Sequence, residues 1–353
     1  MRTLALMEQG LTVGVDGELF SIERAGQRIE LVRVADVAEI QIFGSIALTP
    51  AAVALALARG IDVVFLTPRG RYRGRLVGRG SRNVELRRHQ FVRLADPAFA
   101  LAVGKGVVSG KIANQRNLLL RAQREHRRED LADAIGGMRQ MLARVDEAAS
   151  LDELRGLEGQ AAALYFGSFG KCLRNPAFAF TRRSRRPPRD PVNAALSFGY
   201  TLLGTVMESI VLRVGLDPMM GAFHQPDYGR PSLMLDLIEE FRPVVVDALV
   251  LRLFNRRELA KEDFEAGLDE VEAVWAGADD RAGEGEGDGH GIWLGETGRR
   301  VFFRAWGRRL REVVYYPPRD QRLTLEEIME QQAYHFARVL RGQEEAYRPF
   351  VPR

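Results

Sequence analysis

The stretch from Leu94 to Leu120, LADPAFALAVGKGVVSGKIANQRNLLL, decides the fold. Asp96 followed by Pro97 marks a helix start. The aspartate can accept a hydrogen bond from a free amide of the first turn, and proline there gives up only an N–H that the helix leaves unpaired. From this point the apolar residues recur at helical spacing, and the pattern predicts helices over 97–126, 128–147, 151–174 and 191–214. Upstream the period is different. TLALM, LTVGV, ELFSIE, QRIELV, AEIQIF and SIALT are short strands separated by turns at Glu8 to Gly10, Asp16 to Gly17 and Ala25 to Gly26. Thr49 and Pro50 then open a short helix, PAAVALALAR, closed by Gly60, and the continuous apolar run DVVFLT predicts a central strand behind it.

The expected fold is therefore α+β: a small N-terminal β domain over residues 1–90, then a larger all-α catalytic domain over residues 91–353. Beyond Val244 the helical pattern runs to about residue 275. Residues 277–291, GADDRAGEGEGDGHG, read as a mobile loop, and ordering its glycines costs too much entropy for His290 and Asp288 to form a metal site. GIWLGETGRRVFF predicts a hairpin turning at Thr297 and Gly298. A last helix is expected between Thr324 as cap and Gly342 as stop, with His335 packed in its core face.

Composition narrows the class. A chain of 353 residues is long enough for two cores, and 46% hydrophobic with 28% charged residues is globular. The sequence has neither an apolar run long enough to span a bilayer nor a secretory signal, so no membrane contact is expected. One cysteine, Cys172, excludes an internal disulfide and fits a reducing compartment, which places the protein in the cytoplasm. The net charge is only +4, but arginine is clustered. Arg69 to Arg88 holds eight arginines against Glu85, and Lys171 to Arg189 holds seven basic residues with no acid. Guanidinium forks match phosphate geometry, so the second block, interleaved with Phe178, Phe180, Pro187 and Pro188, is expected to meet a nucleic-acid backbone. The first block reads equally well as solvated loop.

The candidate site lies in Gly221 to Arg242, GAFHQPDYGRPSLMLDLIEEFR. His224 sits in a turn ahead of a short helix so apolar that Asp236, in its middle, must be buried and needs a partner. Glu239 lies three residues on, on the same face. In LEGQAAALYFGSF, Glu158 stands between Gly156 and Gly159, and Ala161 and Ala162 predict close packing on its face. One imidazole with several carboxylates suits a hard divalent cation. The alternatives are ordinary structural roles: Asp236 paired with Arg230 or Arg242, Glu158 capping a neighbouring helix or paired with Arg155, and His224 as a plain turn histidine.

LEGQAAALYF, RRPPRDPVNAALSFGYTLL, GAFH and LMLDLIEEFRP, in this order, resemble the integrase of CRISPR adaptation, CRISPR-associated protein one. IQIFGSIALT, GIDVVFLTPRGRYRGRL, GKIANQRNLL and GQEEAYRPF extend the resemblance over almost the whole chain. It implies a homodimer that joins a short incoming DNA to a repeat array. The 3′-hydroxyl of the incoming strand would attack a phosphodiester with help from Mg2+ or Mn2+. It implies Glu158, His224 and Glu239 as metal ligands and catalytic residues, with Asp236 as a supporting carboxylate; where many relatives have aspartate, this chain has Glu239 followed by Glu240, so Asp236, Glu239 and Glu240 all stand as candidates for that ligand, with Glu239 first. It also implies a small ferredoxin-like partner protein completing a heterohexamer, and a companion nuclease is a further candidate partner. Arg182, Arg183, Arg185 and Arg186 would lie against DNA phosphates near the site. A metal-dependent endonuclease without integrase activity and a non-catalytic DNA-binding scaffold are the competing readings.

Overall fold

The computed structural model of the chain describes residues 2–76, 78, 83–184, 187–268 and 290–352. The N-terminal part holds two four-stranded sheets. β2 (Leu11–Asp16), β3 (Leu19–Arg24) and β4 (Gln27–Arg33) form an antiparallel meander, and β6 (Ala47–Leu48) adds to β2 in parallel. The second sheet has the order β1 (Arg2–Leu6), β5 (Val37–Phe43), β7 (Asp62–Leu66), β8 (Tyr72–Leu76). β5 and β7 run parallel, which requires a crossover, and α1 (Pro50–Arg59) supplies it. Thr49 caps α1 by accepting from the amide of Ala52 at 3.2 Å, and Gly60 ends it at φ 66°, a left-handed conformation that glycine adopts without strain.

The apolar run of β7 is explained by burial on both faces. Val63 joins a small core with Leu4, Val13, Phe20, Ile40 and Ala52, whereas Val64, Leu66 and Phe43 point into the core of the helical part. A strand covered on both faces has no reason to alternate. As expected, it is central, lying between β5 and β8.

The helices follow: α2 (Val84–Leu94), α3 (Pro97–His126), α4 (Ala132–Val145), α5 (Leu151–Phe169), α6 (Pro191–Val214), α7 (Ser232–Ile238) and α8 (Ala248–Asn255). Asp96, Ser150 and Asp190 cap α3, α5 and α6, each accepting from an amide in the first turn. Among the described residues α6 alone is long and apolar enough to cross a membrane, and 78% of that apolar window is buried inside the protein. It packs against α7 and the last helix, α10 (Leu325–Leu340), whose N-terminus Thr324 and Glu327 close reciprocally.

Three expectations are corrected. The part beyond residue 91 is largely helical rather than all-α: the helical run past Val244 stops at Asn255, and Phe264–Leu268 is a strand, β9, paired antiparallel with β10 (His290–Leu294). His290 and Gly291 are thus strand residues rather than loop, while Asp288 and the rest of that segment lie outside the described residues. GIWLGETGRRVFF is no hairpin: after β10 the chain enters α9 (Glu296–Leu310), and β11 (Val313–Tyr316) pairs with β12 (Gln321–Thr324) beyond it. The glycine taken as a turn marker has another purpose. A Cβ on Gly298 would lie 2.5 Å from the carbonyl oxygen of Asp263, so the residue must be small for α9 to pack there.

Candidate active site

Three helices and one turn build the site. α3 carries Lys111, α5 carries Glu158, the loop after α6 carries His224, and α7 carries Asp236, with Glu239 immediately after it. Every residue of α7 is buried, so its aspartate cannot face water.

Asp236 is satisfied by the histidine turn itself. Its Oδ2 accepts from the amides of Ala222 (2.6 Å) and Phe223 (3.0 Å), and its Oδ1 accepts from the amide of His224 (2.9 Å). Oδ1 also lies 2.7 Å from His224 Nδ1. The carboxylate is therefore the template on which the GAFH turn folds. A Cβ on Gly221 would lie 2.5 Å from the carbonyl carbon of Ser232 and 2.8 Å from Asp236 Oδ2, so this approach requires glycine. An acceptor on Nδ1 fixes the proton of a neutral ring there and leaves Nε2 with its lone pair. Nε2 stands 3.7 Å from Glu239 Oε1.

Glu239 is the hub. Arg242 Nη1 reaches its Oε1 at 3.2 Å, and Lys111 Nζ lies 2.7 Å from its Oε2. Burial pushes this carboxyl upward, but Arg242, Lys111 and His224 outweigh it and bring the pKa down to about 2. The same ammonium donates to Glu158 Oε1. Burial favours the neutral amine, yet Glu158 and Glu239 hold the lysine above its ordinary value, so it stays charged. Oε2 of Glu239 meets the ammonium without a well-directed hydrogen bond. Among the described residues no three His, Cys, Asp or Glu side chains stand ready to grip a metal ion, and between Glu158 and Glu239 it is an ammonium that both carboxylates touch.

Glu240 faces elsewhere. Its Oε2 accepts from the amide of Phe350 (2.8 Å), and its Oε1 accepts from Gln332 (3.0 Å) and from the Tyr347 hydroxyl (3.2 Å). It anchors the C-terminal segment. Burial raises its pKa to about 8, against the pull of those three donors.

Arg242 opens a π-helical segment, Arg242–Asp247, a local widening that re-aims side chains. Its guanidinium stacks on Tyr200 at 5.1 Å, and Arg183 sits over the same ring at 5.5 Å. Tyr200 (2.5 Å) and Tyr165 (2.7 Å) both donate to Asp247. Of the four arginines expected on DNA, Arg182 is exposed, and Arg185 and Arg186 lie outside the described residues. Arg183 turns inward and donates to Asn193 Oδ1 (2.7 Å), the Ser184 carbonyl (2.7 Å) and Ser197 Oγ (2.9 Å), fixing the loop to α6.

The structure thus brings Glu158, His224, Asp236 and Glu239 together and turns Glu240 away. The alternative ion pairs give way to others: Arg242 pairs with Glu239 rather than Asp236, and Arg155 donates to Asp152 and to the Phe223 carbonyl (3.2 Å) rather than to Glu158. Sequence reading missed Lys111 and the Tyr165, Tyr200, Asp247 cluster. One signal for Lys111 was available: an ammonium between Val107, Val108 and Ile112 must find an acid.

A two-sheet N-terminal part joined to a helical part, with two carboxylates on a buried ammonium and an imidazole beside one of them, defines an α+β protein with an acid–imidazole centre. Residues 4–283 match the family described as CRISPR associated protein Cas1, and the chain belongs to that family. It is 38% identical to the CRISPR-associated endonuclease Cas1 2 of Rhodospirillum rubrum, over 99% of this chain and 98% of that one. It is 37% identical to the CRISPR-associated endonuclease Cas1 3 of Thermus thermophilus, over 96% and 93% of the two chains. Among solved structures, a Cas1 protein from Thermotoga maritima has the same fold, with a TM-score of 0.79 at 24% identity over 99% of this chain and all of that one. A casposase bound to integration product overlays with a TM-score of 0.81 at 21% identity, over 99% and 93% of the two chains.

Proposed function

We propose that this protein is a divalent-metal-dependent DNA integrase of CRISPR adaptation, working in the cytoplasm, in which Glu158, His224 and Glu239 hold Mg2+ or Mn2+. The observation that carries the reading is the position of Glu239, whose carboxylate faces both His224 Nε2 and the cation it shares with Glu158. The donor set fits such an ion: two carboxylates and an imidazole nitrogen, with a buried Oε2 that lacks a well-directed hydrogen bond. When bound, the ion would polarise a phosphoryl oxygen and neutralise the charge that develops during in-line displacement.

The chain's own residues do the rest. Asp236 holds the imidazole proton on Nδ1 and so keeps Nε2 available. Arg242, pinned on Tyr200, holds Glu239 ionised. No side chain need act as nucleophile, since a DNA 3′-hydroxyl attacks the phosphodiester directly. Arg182, at the exposed start of the basic loop, is a candidate phosphate contact, as are Arg185 and Arg186. Residues 1–90 are assigned to dimerisation and to contact with a small ferredoxin-like protein, giving a heterohexamer on DNA; residues 91–353 carry the chemistry. Related structures that include Cas1–Cas2 complexes, and relatives that are Cas4/Cas1 fusions, support such partners.

The relatives are named endonucleases, which favours DNA hydrolysis as the second reading. The two differ in the attacking oxygen. Incubating the protein with a short 3′-hydroxyl duplex and a supercoiled plasmid bearing a repeat, in manganese or chelator, should give covalent joining that needs the metal, His224 and the free 3′ end. Nicking by the parent protein that persists with a blocked 3′ end, and joining that survives His224→Ala, would each count against the integrase reading.

A further inference from the structure

Lys111 is the observation that the proposed chemistry does not use. It lies in mid-helix on α3, flanked by the buried Val107, Val108 and Ile112, and only 9% of its side chain is exposed. A lysine stem of this kind normally carries its ammonium out to water. Here the ammonium ends inside, donating to Glu158 Oε1 and standing 2.7 Å from Glu239 Oε2. These are two of the three side chains assigned above to the metal. Placing a charge there is unfavourable unless it is paired, and the pairing runs both ways, because the two carboxylates also need a cation.

The neighbouring cation does not fill that role. Arg242 meets Glu239 through Oε1, on the same oxygen that faces His224 Nε2, and leaves Oε2 to the lysine. The backbone next to Lys111 is held in place: a Cβ on Gly110 would lie 2.4 Å from Pro349 Cβ and 3.2 Å from Glu240 Cβ, so α3 is tight against the C-terminal segment and the residue after the hub. The ammonium is delivered by a rigid helix rather than by a mobile loop.

We propose that Lys111 is a built-in counter-cation of the active site, holding Glu158 and Glu239 together when no divalent ion is bound and competing with that ion for the same two carboxylates. It is a positioning residue, and its role rests on the metal-site reading above. Lysine suits the task better than arginine would, since a compact ammonium on a flexible stem can give up the position without breaking a bidentate fork. The consequence is a site that keeps its shape without metal and binds the ion more weakly than three bare ligands would.

The test compares Mn2+ binding by calorimetry and metal-free thermal stability in the parent, Lys111→Met and His224→Ala proteins. Lys111→Met should lower the melting temperature in chelator, show a larger upward shift with Mn2+ than the parent, and bind Mn2+ at least about tenfold more tightly. Unchanged or weaker Mn2+ binding by a folded Lys111→Met would overturn the competition. If the parent binds Mn2+ but His224→Ala binds it equally well, the ion sits elsewhere and the metal-site reading fails first, taking this inference with it. Should Lys111→Met not fold in chelator, acetylation footprinting of the parent decides: Lys111 should be protected in chelator and labelled faster with Mn2+, and equal protection in both would contradict displacement.

Discussion

Two buried charge clusters in this molecule use the same ingredients and shift their carboxyls in opposite directions. In the active site three carboxylates, Glu158, Asp236 and Glu239, face Lys111, Arg242 and His224, and Glu239 is held down at about 2. Where the second sheet meets α6, one guanidinium serves three acids: Arg75 touches Glu208 and Asp62, and it donates to Ser209 (2.8 Å), which in turn donates to Glu39. Burial there raises Glu39 and Asp62, and it lifts Glu208 to about 7 despite the pull of Arg75. The difference is the ratio of cations to acids. A cluster rich in cations lowers Glu239 and keeps it ionised, whereas one poor in cations leaves burial to raise its carboxyls and works as a joint between the sheet and the helices.

Breaking the joint should have the largest effect on stability. Arg75→Met leaves three buried acids without their cation and should cost about 3–5 kcal/mol at neutral pH, read from the urea midpoint. In the active site, Asp236→Asn keeps the size but sets an NH2 against backbone amides that the carboxylate accepts from, which loosens the turn and its imidazole. Joining activity should fall about 10- to 100-fold, measured as the initial rate of strand transfer. A rate equal to the parent's would show that the turn holds without the carboxylate.

The smallest effect is in the pH profile, and it has opposite signs in the two places. Glu208 is raised from an ordinary 4.5 to about 7, so the folded state holds the extra proton between those values. Its contribution to stability is present at low pH and is lost as pH rises through that window. Glu239 is depressed from 4.5 to about 2, so its contribution is full above 4.5 and is lost as pH falls toward 2. Glu208→Gln should therefore flatten the decline in stability between pH 5 and 8. An unchanged slope would mean the proton sits on another acid of the cluster.

How much of this was legible in the sequence depended on range. Helix starts were readable because caps are local: Thr49 with Pro50, Asp96 with Pro97 and Asp190 with Pro191 each act within one turn. The pairing of β9 with β10 was not readable, since the residues that join lie across a long intervening segment and each strand is only five residues long. α9 was missed for a related reason. Gly295 and Gly298 look like turn residues, but they are small because Glu265 and Asp263 press against them, while Phe302, Ala305, Trp306 and Leu310 provide the helical face. In the site, His224, Asp236 and Glu239 stood out because they share one short stretch. Lys111 comes from a different helix, and nothing near it in sequence announces its partners.

The most direct test sets two adjacent glutamates side by side. Glu239 is the ionised hub that meets Lys111 and Arg242, and Glu240, raised to about 8 by burial, accepts hydrogen bonds that anchor the C-terminal segment. Glutamine keeps the shape of glutamate but not its charge, and it is Glu239 whose charge meets Lys111 and Arg242. In the strand-joining assay with Mn2+, Glu240→Gln should keep most of the parent's activity and Glu239→Gln should show none. Joining that survives Glu239→Gln, or that is lost only in Glu240→Gln, would contradict this account of the site.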